Sequence, residues 1–133
     1  MAEVRLDRVV KRYPNAPADA LRKTSLTFED GLFTCVLGPS GSGKSTVLKL
    51  LAGIEEVTSG RILMDGRDVT NVTPERRDVA MVFQSYGLYP HMTARDNIAF
   101  PLMIRGMRKP DRYARVGEVA EMLGIGGLLD RHP

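Results

Sequence analysis

The sequence predicts an α/β fold in which an N-terminal antiparallel β-subdomain leads into a core of buried strand, loop and helix, followed by the start of a helical subdomain. Three observations carry this. Residues 3–10 alternate as a strand does and 21–28 read as a second strand. Residues 32–37 form an almost continuous apolar run that passes directly into a glycine-rich loop and then into apolar residues at helical spacing. From Thr93 onward the pattern is helical.

In chain order, Val4 and Leu6, followed by Val9 or Val10, face one way along the first strand, and Lys11-Arg12-Tyr13-Pro14-Asn15 follows as a turn. Asp30-Gly31 is a hairpin-type turn that joins the second strand to 32–37. That run is expected to be a strand buried on both faces of a parallel sheet, with Cys35 a small buried apolar residue rather than a nucleophile. Val47, Leu48, Leu50, Leu51 and Ile54 then recur at helical spacing, with Gly53 as the stop. Residues 60–65 and Val69 are expected to pair about a hinge at Asp65-Gly66, and Thr73 to cap a short turn with Pro74 at its first position. Residues 78–83 read as a second buried strand that ends at Gln84, and the carboxyl end of a strand is where open α/β sheets bind ligands. A helix capped by Thr93, with Asp96 in its first turn, presents Ile98, Phe100, Leu102 and Met103 despite Pro101. A second helix over about 110–123 is stopped by Gly124, Gly126 and Gly127.

The 133 residues are one domain by size, and 43% hydrophobic with 26% charged residues is enough for an ordinary core. The formal net charge is +3, but Lys and Arg are interspersed with Asp and Glu, so no nucleic-acid partner is expected. The locally basic stretch 105–115, which also holds Asp111, reads first as a solvated helical face and turn, with anionic lipid or a partner as the alternative. A single cysteine excludes an internal disulfide. No basic-then-apolar leader opens the chain and no run approaches the ~18 apolar residues of a spanning helix, so a soluble intracellular protein is expected.

The chemistry concentrates in Gly38-Pro39-Ser40-Gly41-Ser42-Gly43-Lys44-Ser45-Thr46, which fits the phosphate-binding pattern GxxxxGK[ST] with a strand-like run before it and a helical one after. Glycines let the backbone curl with its N–H groups inward, and the helix that follows adds roughly half a positive charge at its N-terminus. Lys44 is placed to reach terminal phosphates, the Ser45 hydroxyl to ligate Mg2+, and Thr46 to donate to an inner phosphate. Such a loop binds nucleotide without choosing a reaction.

The loop, its spacing to Gly60-Arg61-Ile62 and Asp65-Gly66, and the stretch from Arg77 through Phe83-Gln84-Ser85-Tyr86-Gly87-Leu88-Tyr89-Pro90-His91-Met92-Thr93 together resemble one family along essentially the whole chain. That family is the ATP-binding subunits of ABC transporters, of the sugar- and polyamine-importer type. The resemblance implies a P-loop nucleoside-triphosphatase core, with 1–92 as β-subdomain and core and 93–133 as the start of the helical subdomain. It also implies ATP and Mg2+ as ligands. Tyr13 takes the place of the aromatic residue that stacks on adenine, and residues 38–46 are the phosphate loop, with Lys44 acting in catalysis. Gln84 matches the glutamine that approaches Mg2+ and the attacking water, which a neutral amide can do as acceptor and ligand.

The likeness stops before the family's Leu-Ser-Gly-Gly-Gln signature, its acidic strand with the catalytic glutamate, and its switch histidine, for which neither His91 nor His132 substitutes. The chain therefore resembles the truncated first half of an ATPase, and 32–37 and 78–83 would then present apolar edges. The expected function is ATP binding within a subunit that powers solute import. Its partners would be a second copy of the subunit and membrane-spanning subunits docked on 86–103, at the cytoplasmic face of the membrane. A nucleotide-binding module without turnover and a small phosphotransferase remain as alternatives, the last disfavoured because the helical region follows the transporter pattern.

Overall fold

The computed structural model describes residues 2–133, which form two compact units, one ending at Met81 and the other Val82–Pro133. In the first, β1 (Val4–Lys11) lies between β2 (Leu21–Phe28) and β3 (Ser59–Met64), and the short β4 (Arg67–Asp68) completes the antiparallel order β2-β1-β3-β4. Both N-terminal strands form where the sequence predicts them, and the Asp65-Gly66 hinge turns β3 into β4.

Which face of β1 is inward is decided by a bulge. The register shifts between Leu6 and Val9 against β2, and Arg8 takes a left-handed φ of 51°. The shift makes Leu6, Val9 and Lys11 the inward residues, so Val9 and not Val10 enters the core. Gly60 on β3 permits the bulge, since a Cβ there would lie 2.4 Å from the Arg8 carbonyl oxygen.

Helix α1 (Lys44–Ala52) sets Val47 and Leu50 against this sheet, where they close a core with Leu6, Val9, Leu21, Ile62 and Val69. Leu6, Val9, Leu50 and Ile62 are essentially inaccessible, each worth about 1.5–3 kcal/mol of apolar burial. Leu48 and Ile54, expected on the same apolar face, are exposed. Thr73 precedes the single turn α2 (Pro74–Arg77), with Pro74 where a missing N–H costs nothing; the Thr73 side chain makes no cap to the helix backbone.

The second unit packs α3 (Ala94–Ile104) on α4 (Lys109–Met122) around Ala99, Val116, Ala120 and Leu129. Thr93 caps α3 as expected, its Oγ1 accepting the Asp96 N–H at 3.2 Å. The first two N–H groups of α3 donate to the Arg131 and Leu129 carbonyls at 2.7 and 2.8 Å, which closes the end of the chain onto the helix. Gly126–Leu128 is a single 3-10 turn between them.

The expectation of two buried strands fails. Residues 32–37 and 78–83 are not strands, and among the described residues neither run joins a sheet. Phe33 is 94% exposed, Leu37 89% and Val82 90%, and Cys35 is exposed rather than buried. A strand exists only through hydrogen bonds to at least one neighbour, and apolar content without a ladder partner leaves an extended segment in water. Gln84, expected at a strand end, begins a turn over residues 84–87.

Candidate functional site

Residues 38–46 lead into α1 with the geometry of an anion cradle. Gly43 is the N-cap at φ 92°, a left-handed value that glycine adopts freely, and a Cβ there would stand 2.8 Å from the Ala20 carbonyl oxygen. The loop thus turns into the helix pressed against the chain entering β2. The first intrahelical bond runs from the Val47 N–H to the Gly43 carbonyl at 2.9 Å, which leaves the N–H groups of Lys44, Ser45 and Thr46 without an acceptor inside the helix. No side chain caps this end and no acidic residue sits in its first turn, in contrast to α3, where Thr93 and Asp96 do both. A helix start left open in this way, with its dipole unopposed, accepts an anion.

The Lys44 ammonium is folded back into the loop. Its Nζ donates to the carbonyls of Gly38 and Pro39 at 2.8 and 2.7 Å and reaches Ser42 Oγ at 3.5 Å. Three neutral acceptors hold a full positive charge at the mouth of a helix N-terminus, so a phosphate would compete for it with much stronger, charge-assisted bonds. Ser45 is exposed at the first turn and Thr46 half-buried. The donor set therefore fits a polyphosphate, and the Ser45 hydroxyl fits a hard cation held jointly with it.

Tyr13 lies half-buried in the turn after β1, with the Lys11 ammonium 4.8 Å from its ring centroid. Lys11 itself is buried, donating to the Glu56 carbonyl at 2.8 Å and paired with Glu55 Oε2 at 2.9 Å. The hydrogen bond from Lys11 holds the Glu55 carboxyl below its ordinary value of 4.5, against the opposing effect of desolvation. Sequence reasoning passed over Lys11 because it placed this residue in the turn after the first strand; the structure extends β1 to Lys11, and the bulge turns it inward.

Arg77 was also missed as a structural centre. Its guanidinium is buried and donates to four backbone carbonyls: Leu50 at 2.6 Å, Leu51 at 3.0 Å, Val72 at 2.8 Å and Thr70 at 2.9 Å. It thereby satisfies the C-terminal end of the helix whose N-terminus carries the loop, and desolvation lowers its pKa below the ordinary arginine value. Gly53 makes room for it, since a Cβ there would lie 2.7 Å from Nε.

Gln84 is exposed and belongs to the second unit. The loop after it carries exposed apolar and aromatic side chains, with Tyr86 79% accessible and Leu88 and Tyr89 also exposed. Asn97 fixes this loop: Oδ1 accepts the Tyr89 N–H at 2.7 Å while Nδ2 donates to the Tyr89, Met92 and Thr93 carbonyls at 3.0–3.1 Å. Tyr89 stacks at a tilt on Phe100 with centroids 4.7 Å apart. Among the described residues no cluster of His, Cys, Asp and Glu could hold a metal by itself, and no helix is long and apolar enough to cross a membrane.

A nucleotide-type phosphate loop at the head of a helix packed on an antiparallel sheet defines a P-loop cassette, and the comparisons with known proteins agree. The ABC transporter family model matches residues 21–133, and the chain belongs to that family. Over all 133 residues it is 50% identical to the trehalose import ATP-binding protein SugC of Mycobacterium tuberculosis strain H37Rv, covering 34% of that protein. It is likewise 50% identical to the sn-glycerol-3-phosphate import ATP-binding protein UgpC of Rhodopseudomonas palustris strain BisB5, covering 36% of it. The chain thus spans about a third of the length of these curated relatives. The fold matches the ATP-binding cassette MJ0796, solved as a dimer in a post-hydrolysis state with ADP and Pi, at a TM-score of 0.86 and 27% identity over 98% of this chain and 61% of that one.

Proposed function

We propose that this chain binds ATP together with Mg2+, as the N-terminal part of an ATP-hydrolysing subunit that powers solute import across a membrane. The observation that carries the reading is the uncapped start of α1 behind the 38–46 loop, with the Lys44 ammonium held only by neutral acceptors. Lys44 would leave the Gly38 and Pro39 carbonyls for the terminal phosphates, the free N–H groups of the first turn would hold inner phosphates with Thr46, and Ser45 would ligate Mg2+. Bound Mg2+ would neutralise charge on the transferring phosphoryl. Tyr13 offers its ring for stacking on adenine, steadied by Lys11, and Gln84 offers an amide that can accept from water and ligate through its carbonyl.

In this reading 1–92 supplies the β-subdomain and phosphate-loop core, and 93–133 begins the helical subdomain. The partners are a second copy of the subunit and a membrane-spanning subunit received on 86–103, whose exposed tyrosines and leucine support an interface. The site of action is the cytoplasmic face of the membrane. The relatives that import trehalose and glycerol phosphate point to a small polar solute. The test is calorimetric titration of ATP–Mg2+ into the chain and into Lys44→Ala. Loss of charge-assisted contacts worth about 1.5–3 kcal/mol should weaken binding by about tenfold or more, and equal affinity for the two proteins sinks the proposal.

A further inference from the structure

The end of β1 and the chain that leaves α1 are tied together around one buried cation. Ile54 and Glu55 still hang on the helix, their N–H groups donating to the Lys49 carbonyl at 2.9 and 3.3 Å. From there Glu55 Oε2 meets the Lys11 ammonium at 2.9 Å, and the Glu56 carbonyl accepts from it at 2.8 Å. Thr58 then clamps the strand itself. Its N–H donates to the Val10 carbonyl at 2.8 Å, while its Oγ1 accepts the Arg12 N–H at 2.9 Å and donates to the Arg12 carbonyl at 3.3 Å. Tyr13 comes next in the chain, its carbonyl accepting the Ala16 N–H at 3.1 Å, and the Lys11 ammonium lies over its ring.

A lysine side chain only 10% exposed needs its charge answered, and here a carboxylate, a carbonyl and a π face answer it together. Stability alone does not call for such a pair, since apolar residues of similar volume serve a packed site at least as well. What the pair adds is direction. With the ammonium pinned by Glu55 and the Glu56 carbonyl, the Tyr13 ring has one face against a fixed cation and the other turned away from it. A tyrosine in a turn otherwise samples several rotamers, and a base stacking on it would have to order it first. The hydrogen bond from Lys11 first, and that from Tyr13 after it, lower the Glu55 carboxyl, so the anchor is ionised at neutral pH.

We propose that Glu55 and Lys11 are positioning residues for the nucleotide base: Glu55 fixes the Lys11 ammonium on one face of Tyr13, which presents the opposite face for stacking. This rests on the reading of Tyr13 as the base-stacking residue of an ATP site, and it anchors that residue to the end of the helix that begins at the phosphate loop. The experiment is calorimetric titration of the chain with ATP–Mg2+ and, separately, with tripolyphosphate–Mg2+, which carries the phosphates and no base. Lys11→Met keeps the length of the stem and removes the cation; Glu55→Gln keeps the shape and removes the anchoring charge.

Each variant should weaken ATP about two- to fivefold and leave tripolyphosphate unchanged. Tyr13→Ala should weaken ATP too, and in that background Lys11→Met should have no further effect. The double variant Lys11→Met with Glu55→Gln, which leaves neither charge without its partner, should behave as the singles do and serves where a single folds poorly by circular dichroism. ATP affinity unmoved by these substitutions or by Tyr13→Ala overturns the proposal, as does a Lys11→Met effect undiminished in the Tyr13→Ala background. Equal weakening of ATP and tripolyphosphate also overturns it and assigns the pair to the fold alone. Lys44→Ala separates the two readings. ATP binding that needs Lys44 but neither Lys11 nor Glu55 sinks the positioning and leaves the nucleotide site standing, whereas ATP binding indifferent to Lys44 sinks both.

Discussion

Arg77→Ala should be among the most damaging single changes in the first unit, although Arg77 touches no phosphate-loop residue in the described contacts. The guanidinium satisfies four carbonyls; the Leu50 oxygen is buried, and the Leu51, Val72 and Thr70 oxygens are partly so. Counting about 1.5–3 kcal/mol for the charge-assisted bond to the buried Leu50 carbonyl, which keeps the Gly53 N–H at 3.1 Å as its second donor, and about 0.5 kcal/mol for each of the three that water can reach gives about 3–4.5 kcal/mol. That is a large share of the 5–15 kcal/mol typical of a domain. Gly53→Ala attacks the same place from the other side, because its Cβ would stand 2.7 Å from Arg77 Nε at a backbone φ of 76°. The left-handed strain alone costs about 1–2 kcal/mol, and displacement of the guanidinium adds to it.

With Arg77 already alanine, Gly53→Ala should cost only the strain, so the double variant is less damaged than the two singles predict. Urea unfolding followed by circular dichroism, read as a double-mutant cycle, measures this. Arg77→Lys should recover about half of the loss, one ammonium replacing a fork that serves four acceptors. A cost below about 1 kcal/mol for Arg77→Ala, or additivity of the two singles within about 0.5 kcal/mol, would refute the reasoning.

Cys35 should react with an aromatic disulfide reagent in the native chain, because the structure exposes it; a thiol that reacts only after denaturant is added would show 32–37 to be covered. The Tyr113 to Asp96 hydrogen bond predicts a pH window for the helical unit. Tyr113 first, and Thr93 second, hold the Asp96 carboxyl below 3.8, so this stabilisation is present at neutral pH and lost as pH falls through that lowered value. The same bond raises the Tyr113 phenol above 10.0, so its contribution persists to pH 10 and is lost as pH rises through the raised value. Tyr113→Phe should lower the thermal midpoint at neutral pH and flatten both limbs, and an unchanged pH profile would count against the bond. On the proposed docking at 86–103, single cysteines at Leu88, Tyr89 and Met92 in a full-length subunit, with Cys35 replaced, should crosslink to a membrane-spanning subunit. No crosslink there would move the interface elsewhere.

Much of this protein was determined by residues acting within a few positions of one another. The cap at Thr93 with Asp96, the stop at Gly53, the Asp65-Gly66 hinge and the phosphate loop running into α1 all depend on local hydrogen bonds and backbone preferences, which a single sequence displays. The alternation of residues 3–10 and the strand-like run 21–28 are of the same kind, and β1 and β2 stand where they are expected. Tertiary structure alone decided what depends on a partner far along the chain. The bulge at Arg8 needs Gly60, and it is the bulge that buries Val9 and Lys11; Arg77 becomes a cap only because the end of α1 lies beside it. The runs 32–37 and 78–83 have every apolar feature of buried strands and are not strands, since composition records the tendency to be covered, whereas a strand is a set of hydrogen bonds to neighbours that must actually be there.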